Sequence, residues 1–290
     1  MIWHGEVNLL GIIKSLGTVK PLGDKYHRLN ALQYVRAICA LGVVLFHAEA
    51  GANAYWSYEN QISWFYWGRL GVPMFFCLSG FVISYSGYLR PKKSADFLFS
   101  RIARIYPAYL IVALLFIVCI LVLPAGSFNS APSLSYIFSL HRIADFLFGV
   151  SAFLIAVNPN ADIYSKPPVV VLGVVAFAGL FVNPVGTLCA IFVVGMLLVE
   201  KYRPNIFGSK YLLMLGDSSY SIYLLQVLTV SASLKISKLL APIVPFQAER
   251  YYVFYLLVIC VSCVVTVIGG VLMRKHIEKP LFLCLESLNK

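Results

Sequence analysis

Arg36 and His47 stand eleven positions apart in one apolar run of membrane-spanning length, LNALQYVRAICALGVVLFHAEA (29–50). An imidazole titrates near working pH, so His47 could serve as a general base or proton carrier. Inside a membrane a lone histidine can equally be a helix–helix hydrogen-bonding residue. Arg36 could hold an anion, or satisfy carbonyls at the inner end of its helix. Eleven helical steps come to about 1,100°, within ~20° of three full turns, so the two side chains share a face roughly 16 Å apart along the axis. A mid-helix arginine costs about 2.5–3.5 kcal/mol to insert, which predicts a polar interior behind that face rather than lipid. The other histidines, His4, His27, His141 and His276, fall in loops or at the ends of apolar runs.

A second stretch with chemical potential is the basic connector 90–105, which holds Arg90, Lys92, Lys93, Arg101 and Arg104. In SADFLFSRIARIYPAYL, Ser94 suits a helix N-cap, and Arg101 and Arg104 are i,i+3 neighbours. Guanidinium forks match phosphate oxygens, so the pair suits a multiply charged phosphate group. Topology signalling and lipid-headgroup contact explain the same charges equally well.

These residues must be positioned by membrane helices. The 290-residue chain is 60% hydrophobic and 12% charged, with a mean hydropathy of +0.83, which excludes a soluble fold. Eight spans are expected, near 29–50, 69–89, 106–124, 143–157, 168–183, 185–199, 217–234 and 251–273. A polar loop, NPNADIYSKPP, separates the fourth from the fifth. The predicted fold is an all-α polytopic membrane protein, a bundle of about eight transmembrane helices.

The net charge of +11 does not indicate nucleic acid, because the basic residues gather in short loops between apolar runs. With a cytoplasmic N-terminus, every Lys and Arg except Arg69, Arg142, Lys235, Lys238 and Arg250 falls on the inner side, which argues for both termini in the cytoplasm. Residues 1–28 read as a basic cytoplasmic or interfacial extension without signal-peptide features. Residues 29–290 form one transmembrane domain. Cys39, Cys77, Cys119, Cys189, Cys260, Cys263 and Cys284 are scattered, with no second pair at zinc-site spacing, so no metal site is expected. Glycine-rich phosphate loops, HExxH and GxSxG are absent. Among acids in the spans, Asp145 and Asp217 sit at ends, a poor match to a transporter.

Several stretches in order resemble the acyltransferase-3 family of membrane O-acyltransferases, in its exopolysaccharide-acetylating branch. LQYVRAICALGVVLFHA resembles the family's opening, with Arg36 and His47 matching its Arg-x10-His motif. GVPMFFCLSGFVIS resembles the second-span signature, and FLFSRIARIYPAYL the arginine-containing entry to span three. LGDSSYSIYLLQ (215–226) and HIEKPL (276–281) resemble the family's late SYSIYLLH-like and closing ERP-like elements, with Gln226 where a histidine is common.

The resemblance implies a multi-pass enzyme of the cell (inner or plasma) membrane. Such an enzyme moves an acyl group, by default acetyl, from cytoplasmic acetyl-CoA or another acyl-CoA to a hydroxyl of an extracytoplasmic carbohydrate such as exopolysaccharide or O-antigen. It implies catalysis by His47, either activating the hydroxyl or relaying the acyl group, and donor binding by Arg36, Arg101 and Arg104. It implies no permanently bound cofactor, and polysaccharide-assembly proteins as further partners. Family members are longer in the middle, so the resemblance also implies a central segment missing near 140–141. The alternative reading is a non-catalytic or inactive family member acting as a membrane partner in polysaccharide assembly or export.

Overall fold

The structure, a computed structural model, describes residues 29–56, 64–89, 94–122, 145–152, 183–240 and 248–288. Regular structure among them is helical throughout: α1 (Asn30–Trp56), α2 (Gly71–Leu89), α3 (Ser94–Val122), α4 (145–152), α5 (Pro184–Tyr202), α6 (Lys210–Leu240), α7 (Ala248–Met273) and α8 (Lys279–Leu288). Short 3-10 turns precede α2 (Tyr66–Leu70) and follow α5 (Pro204–Phe207), and a π turn (Arg274–Glu278) joins α7 to α8. Among the described residues five stretches are long and apolar enough to cross a membrane: Asn30–Asn53, Tyr66–Ser86, Phe99–Val118, Lys210–Leu240 and Val253–Ser287. A chain with several such helices is a multi-pass membrane protein, since only internally bonded backbone is tolerated in hydrocarbon. The extension 1–28, the expected span 168–183 apart from Asn183, and the junction at 140–141 lie outside the described residues, and the expected span 143–157 is described only over 145–152.

Three boundaries differ from the sequence expectation. From Ser94 on, the basic connector and the third span are one helix: α3 runs from Ser94 through Pro107 to Val122. Proline removes one backbone donor, yet within a membrane bundle such a helix persists when neighbouring groups satisfy the backbone. The acceptor that Pro107 leaves without its helical partner is the Ala103 carbonyl; two residues on from that gap the Tyr220 hydroxyl donates to the carbonyl of Ile105 at 2.9 Å and ties α3 to α6. The expected span 217–234 is the centre of a 31-residue helix, α6, whose flanks carry Lys210, Lys235 and Lys238. The last span does not stop at Met273, because the π turn carries the helix onward into α8.

The chain divides into two compact units. The first gathers the start of α1, most of α2, α4 and α5. Glu200, buried near the end of α5, accepts hydrogen bonds from the backbone N–H groups of Asn30 and Ala31 at 2.8 and 3.2 Å. Those amides open α1 and lack partners of their own, so the carboxylate caps them and complements the helix dipole. Asn183 caps α5 by accepting from Gly186 N–H at 3.0 Å, while its amide donates to buried Asp145 on α4 at 2.9 Å. α2 and α4 touch backbone to backbone: a Cβ on Gly149 would overlap the Cys77 carbonyl, the small-residue contact typical of membrane helices.

The second unit holds the rest of α1 with α3, α6, α7 and α8. Ala108 and Val112 of α3 and Met273 of α7 form a core against Tyr220, Leu224, Leu225 and Leu228 of α6. The starts of α1, α3 and α6 and the end of α7 gather at one end, where Arg36, Arg104, Asp217, Arg274 and Glu278 interact. At the opposite end Tyr255, early in α7, donates to Asn53, late in α1, at 2.9 Å. Within this unit α1, α3 and α6 therefore run one way and α7 runs back.

Candidate functional site

The candidate site is strung along α1 inside the second unit. Arg36, nearly two turns beyond the start of that helix, is partly buried and lies within electrostatic range of Arg104, Arg274, Asp217 and Glu278. Four helical segments thus bring charged groups to one place. Arg104, in the first half of α3, lies in range of Arg274, Glu278 and Asp217, and also of Arg101 one turn earlier.

The hydrogen bonds of this cluster are unevenly shared. Arg274 donates through Nη1 to Oε1 of Glu278 at 2.6 Å, and Ser221 of α6 donates to Oε2 at 2.6 Å. Both oxygens of a carboxylate that is only 4% exposed are therefore engaged. The π turn supplies the local geometry, with its closing amide, Lys279 N–H, donating to the Arg274 carbonyl. Such turns are uncommon and occur frequently at functional sites. Arg36 and Arg104 make no hydrogen bond to any described residue. Among the described residues three guanidinium groups face two carboxylates, so the cluster carries a net positive charge there, with guanidinium donors that no described residue takes up. Chemically it can hold an anion with several oxygens.

His47 sits three turns further along α1, toward the opposite end, and is exposed. Its imidazole stacks edge-on to Phe46 with centroids 5.2 Å apart and makes no hydrogen bond to a described residue. Phe46 in turn meets Tyr66 edge-on at 6.4 Å, and the Arg69 guanidinium lies over Tyr66 and Phe46 at 4.8 and 6.0 Å from the ring centroids. Arg69 also donates to the Tyr66 hydroxyl. This arrangement is framed by Glu49, a buried acid two residues after His47. Its two oxygens accept from the backbone N–H groups of Trp64 and Phe65 at 2.8 and 3.0 Å, fixing the start of the 3-10 turn. Gly68 completes the frame, because any Cβ there would overlap the Gly42 carbonyl of α1.

Of the residues singled out by sequence, the structure places Arg36 and Arg104 together, leaves Arg101 next to Arg104, and sets His47 apart from all three along α1. Four contributors escaped the sequence reading: Asp217 and Ser221 on α6, and Arg274 and Glu278 around the π turn. Glu278 lies in the HIEKPL element and Ser221 in the SYSIYLL element, so the motifs marked the segments without saying what each side chain meets. The acids in or beside the spans are also more numerous than Asp145 and Asp217. Glu49, Glu200 and Glu278 are buried too, each holding hydrogen-bond donors. That makes them structural clamps rather than the proton relay of a transporter. Among the described residues no group of His, Cys, Asp and Glu is placed to hold a metal ion.

Residues 29–150 match the model of the acyltransferase-3 family, described as an acyltransferase domain. The match takes in Arg36, His47, Arg101 and Arg104, and over that part the chain is similar to membrane acyltransferases of this family. No curated protein and no solved structure matches the chain.

Proposed function

We propose that this protein is a membrane O-acyltransferase of the exopolysaccharide-acetylating kind. It takes acetyl from cytoplasmic acetyl-CoA and delivers it to a hydroxyl of an extracytoplasmic carbohydrate. The observation that carries this reading is the layout of α1: a net positive cluster around Arg36 at one end and exposed His47 three turns on, along one face. The Arg36 end faces the cytoplasm, consistent with the excess of Lys and Arg assigned to that side. Both termini lie there as well, in a bundle of about eight membrane spans.

The chemistry follows from the two ends. Arg36, Arg101 and Arg104 hold the phosphates of the donor, and the extended pantetheine arm runs along the helix toward His47. A sugar hydroxyl is a weak nucleophile until its proton is removed. His47 takes that proton as the hydroxyl oxygen attacks the thioester carbonyl. The C–S bond breaks, the ester forms, and the thiolate of CoA leaves with a proton returned from the imidazolium. Compared with longer family members, the chain lacks a central segment near 140–141, which leaves the α1 route itself complete.

The test is transfer of radiolabelled acetyl from acetyl-CoA to polysaccharide by membranes containing the chain. Label in polysaccharide that disappears with His47→Ala supports the reading. Surface acyl content unchanged by that substitution would assign the chain instead to a non-catalytic role beside polysaccharide-assembly proteins.

A further inference from the structure

Arg274 lies outside the family match and outside every residue that the sequence marks as donor-binding. We infer that Arg274, oriented by Glu278 and Ser221, forms with Arg36 and Arg104 a three-guanidinium seat for the phosphates of the acyl donor. This rests on the acyl-CoA reading above and adds to it a binding residue, Arg274, and two positioning residues, Glu278 and Ser221.

The geometry of Arg274 carries the argument. Its guanidinium has five N–H donors, and only the Nη1 bond to Glu278 is made among the described residues. Arg274 is 23% exposed, so the remaining donors are reachable, while its partner carboxylate is almost wholly enclosed. Glu278 is anchored on its second oxygen by Ser221, which stops it swinging across to neutralise Arg36 or Arg104. The carboxylate thus aims one arginine by hydrogen bonds, while it acts on Arg36 and Arg104 only through its field. Three like charges drawn from α1, α3 and the π turn repel one another, and they stay together at a cost that a bound polyanion removes. Asp217 offsets part of that repulsion in the empty state. Arg104 is exposed, so the seat is open to a ligand.

A phosphate group could arrive on CoA or on an anionic lipid, and one experiment separates them. The full chain is placed in phosphatidylcholine nanodiscs and titrated calorimetrically with desulfo-CoA, which keeps every phosphate and cannot react. Arg274→Ala is expected to weaken binding about tenfold or more, as loss of charged hydrogen bonds does, with Arg274→Lys recovering part of it. Ser221→Ala should weaken binding about threefold by loosening Glu278. Lys279→Ala, which removes an equal charge next to the π turn, should leave binding within about twofold. If Arg274→Ala and Lys279→Ala both bind like wild type while Arg36→Ala and Arg104→Ala do not, the role of Arg274 is overturned and the donor reading stands. If wild type binds no desulfo-CoA but phosphatidylglycerol raises its melting temperature through Arg274, the seat is a lipid site and both are overturned. Should Arg274→Ala fail to fold, the Lys and Ser221 variants decide by the same criteria.

Discussion

At the Arg36 end of the α1–α3–α6–α7 unit the buried carboxylate of Glu278 is held by side chains, Arg274 and Ser221. At the His47 end the buried carboxylate of Glu49 is held by backbone, the amides of Trp64 and Phe65. The difference has a physical consequence. A side-chain partner can rotate or share its donors with an arriving ligand, whereas an amide in a turn is fixed by its neighbours. The Arg36 end is therefore a charged, adaptable surface whose guanidinium donors are only partly taken up by the described residues. The His47 end is a fixed frame in which the imidazole meets Phe46 edge-on, Phe46 in turn meets Tyr66 and Arg69, and the imidazole has no orienting hydrogen bond among the described residues.

Substitutions can break this contrast, and the greatest effect is expected at His47. His47→Ala should lower acetyl transfer by about 10²–10⁴-fold, the usual contribution of a positioned base, while desulfo-CoA binding stays near wild type. A matching fall in binding would show that the two ends are not separate in function. Next comes the frame itself. Gly68→Val forces a branched side chain onto the Gly42 carbonyl and should lower transfer at least about tenfold through displacement of the 3-10 turn, in line with the sensitivity of active sites to about 1 Å of misplacement. A crosslink between cysteines placed at residues 42 and 67 would form less readily in that variant.

Glu49→Gln keeps the shape but sets an NH₂ group against one of the two amides it now caps. A loss of about 1–3 kcal/mol is expected, read as a lower melting temperature in detergent, with desulfo-CoA affinity unchanged. Unchanged melting would mean the amides are satisfied otherwise, and the fixed-frame description would fall. The smallest effect concerns α6. Ser219 Oγ is buried without a hydrogen-bond partner among the described residues, so Ser219→Ala should change stability by no more than about 0.5 kcal/mol, in the stabilising direction. A large loss there would reveal a polar contact that the described residues do not contain.

Sequence reading reached the α1 helix almost in full, because membrane insertion makes a single polar residue conspicuous and the 3.6-residue repeat fixes which residues share a face. It reached α3 only in part. Arg101 and Arg104 lower the local hydropathy, so 94–105 looked like a connector although nothing in it ends a helix. The four buried acids show a second limit. Asp145, Glu49, Glu200 and Glu278 differ little in sequence context, yet one pairs with an amide side chain, two cap backbone amides and one holds an arginine.

What the sequence determined by itself is a membrane chain of helices, the shared face of Arg36 and His47, and the resemblance of their motif. These follow from composition and helical periodicity, which are local. What only the tertiary structure decided is the company Arg36 keeps. Arg104 is 68 residues away, Asp217 and Arg274 much further, and their meeting depends on α7 running back against α6 and on a π turn at its end. No periodicity encodes that, because a helix pattern states which face is polar and leaves open which helix the face will meet.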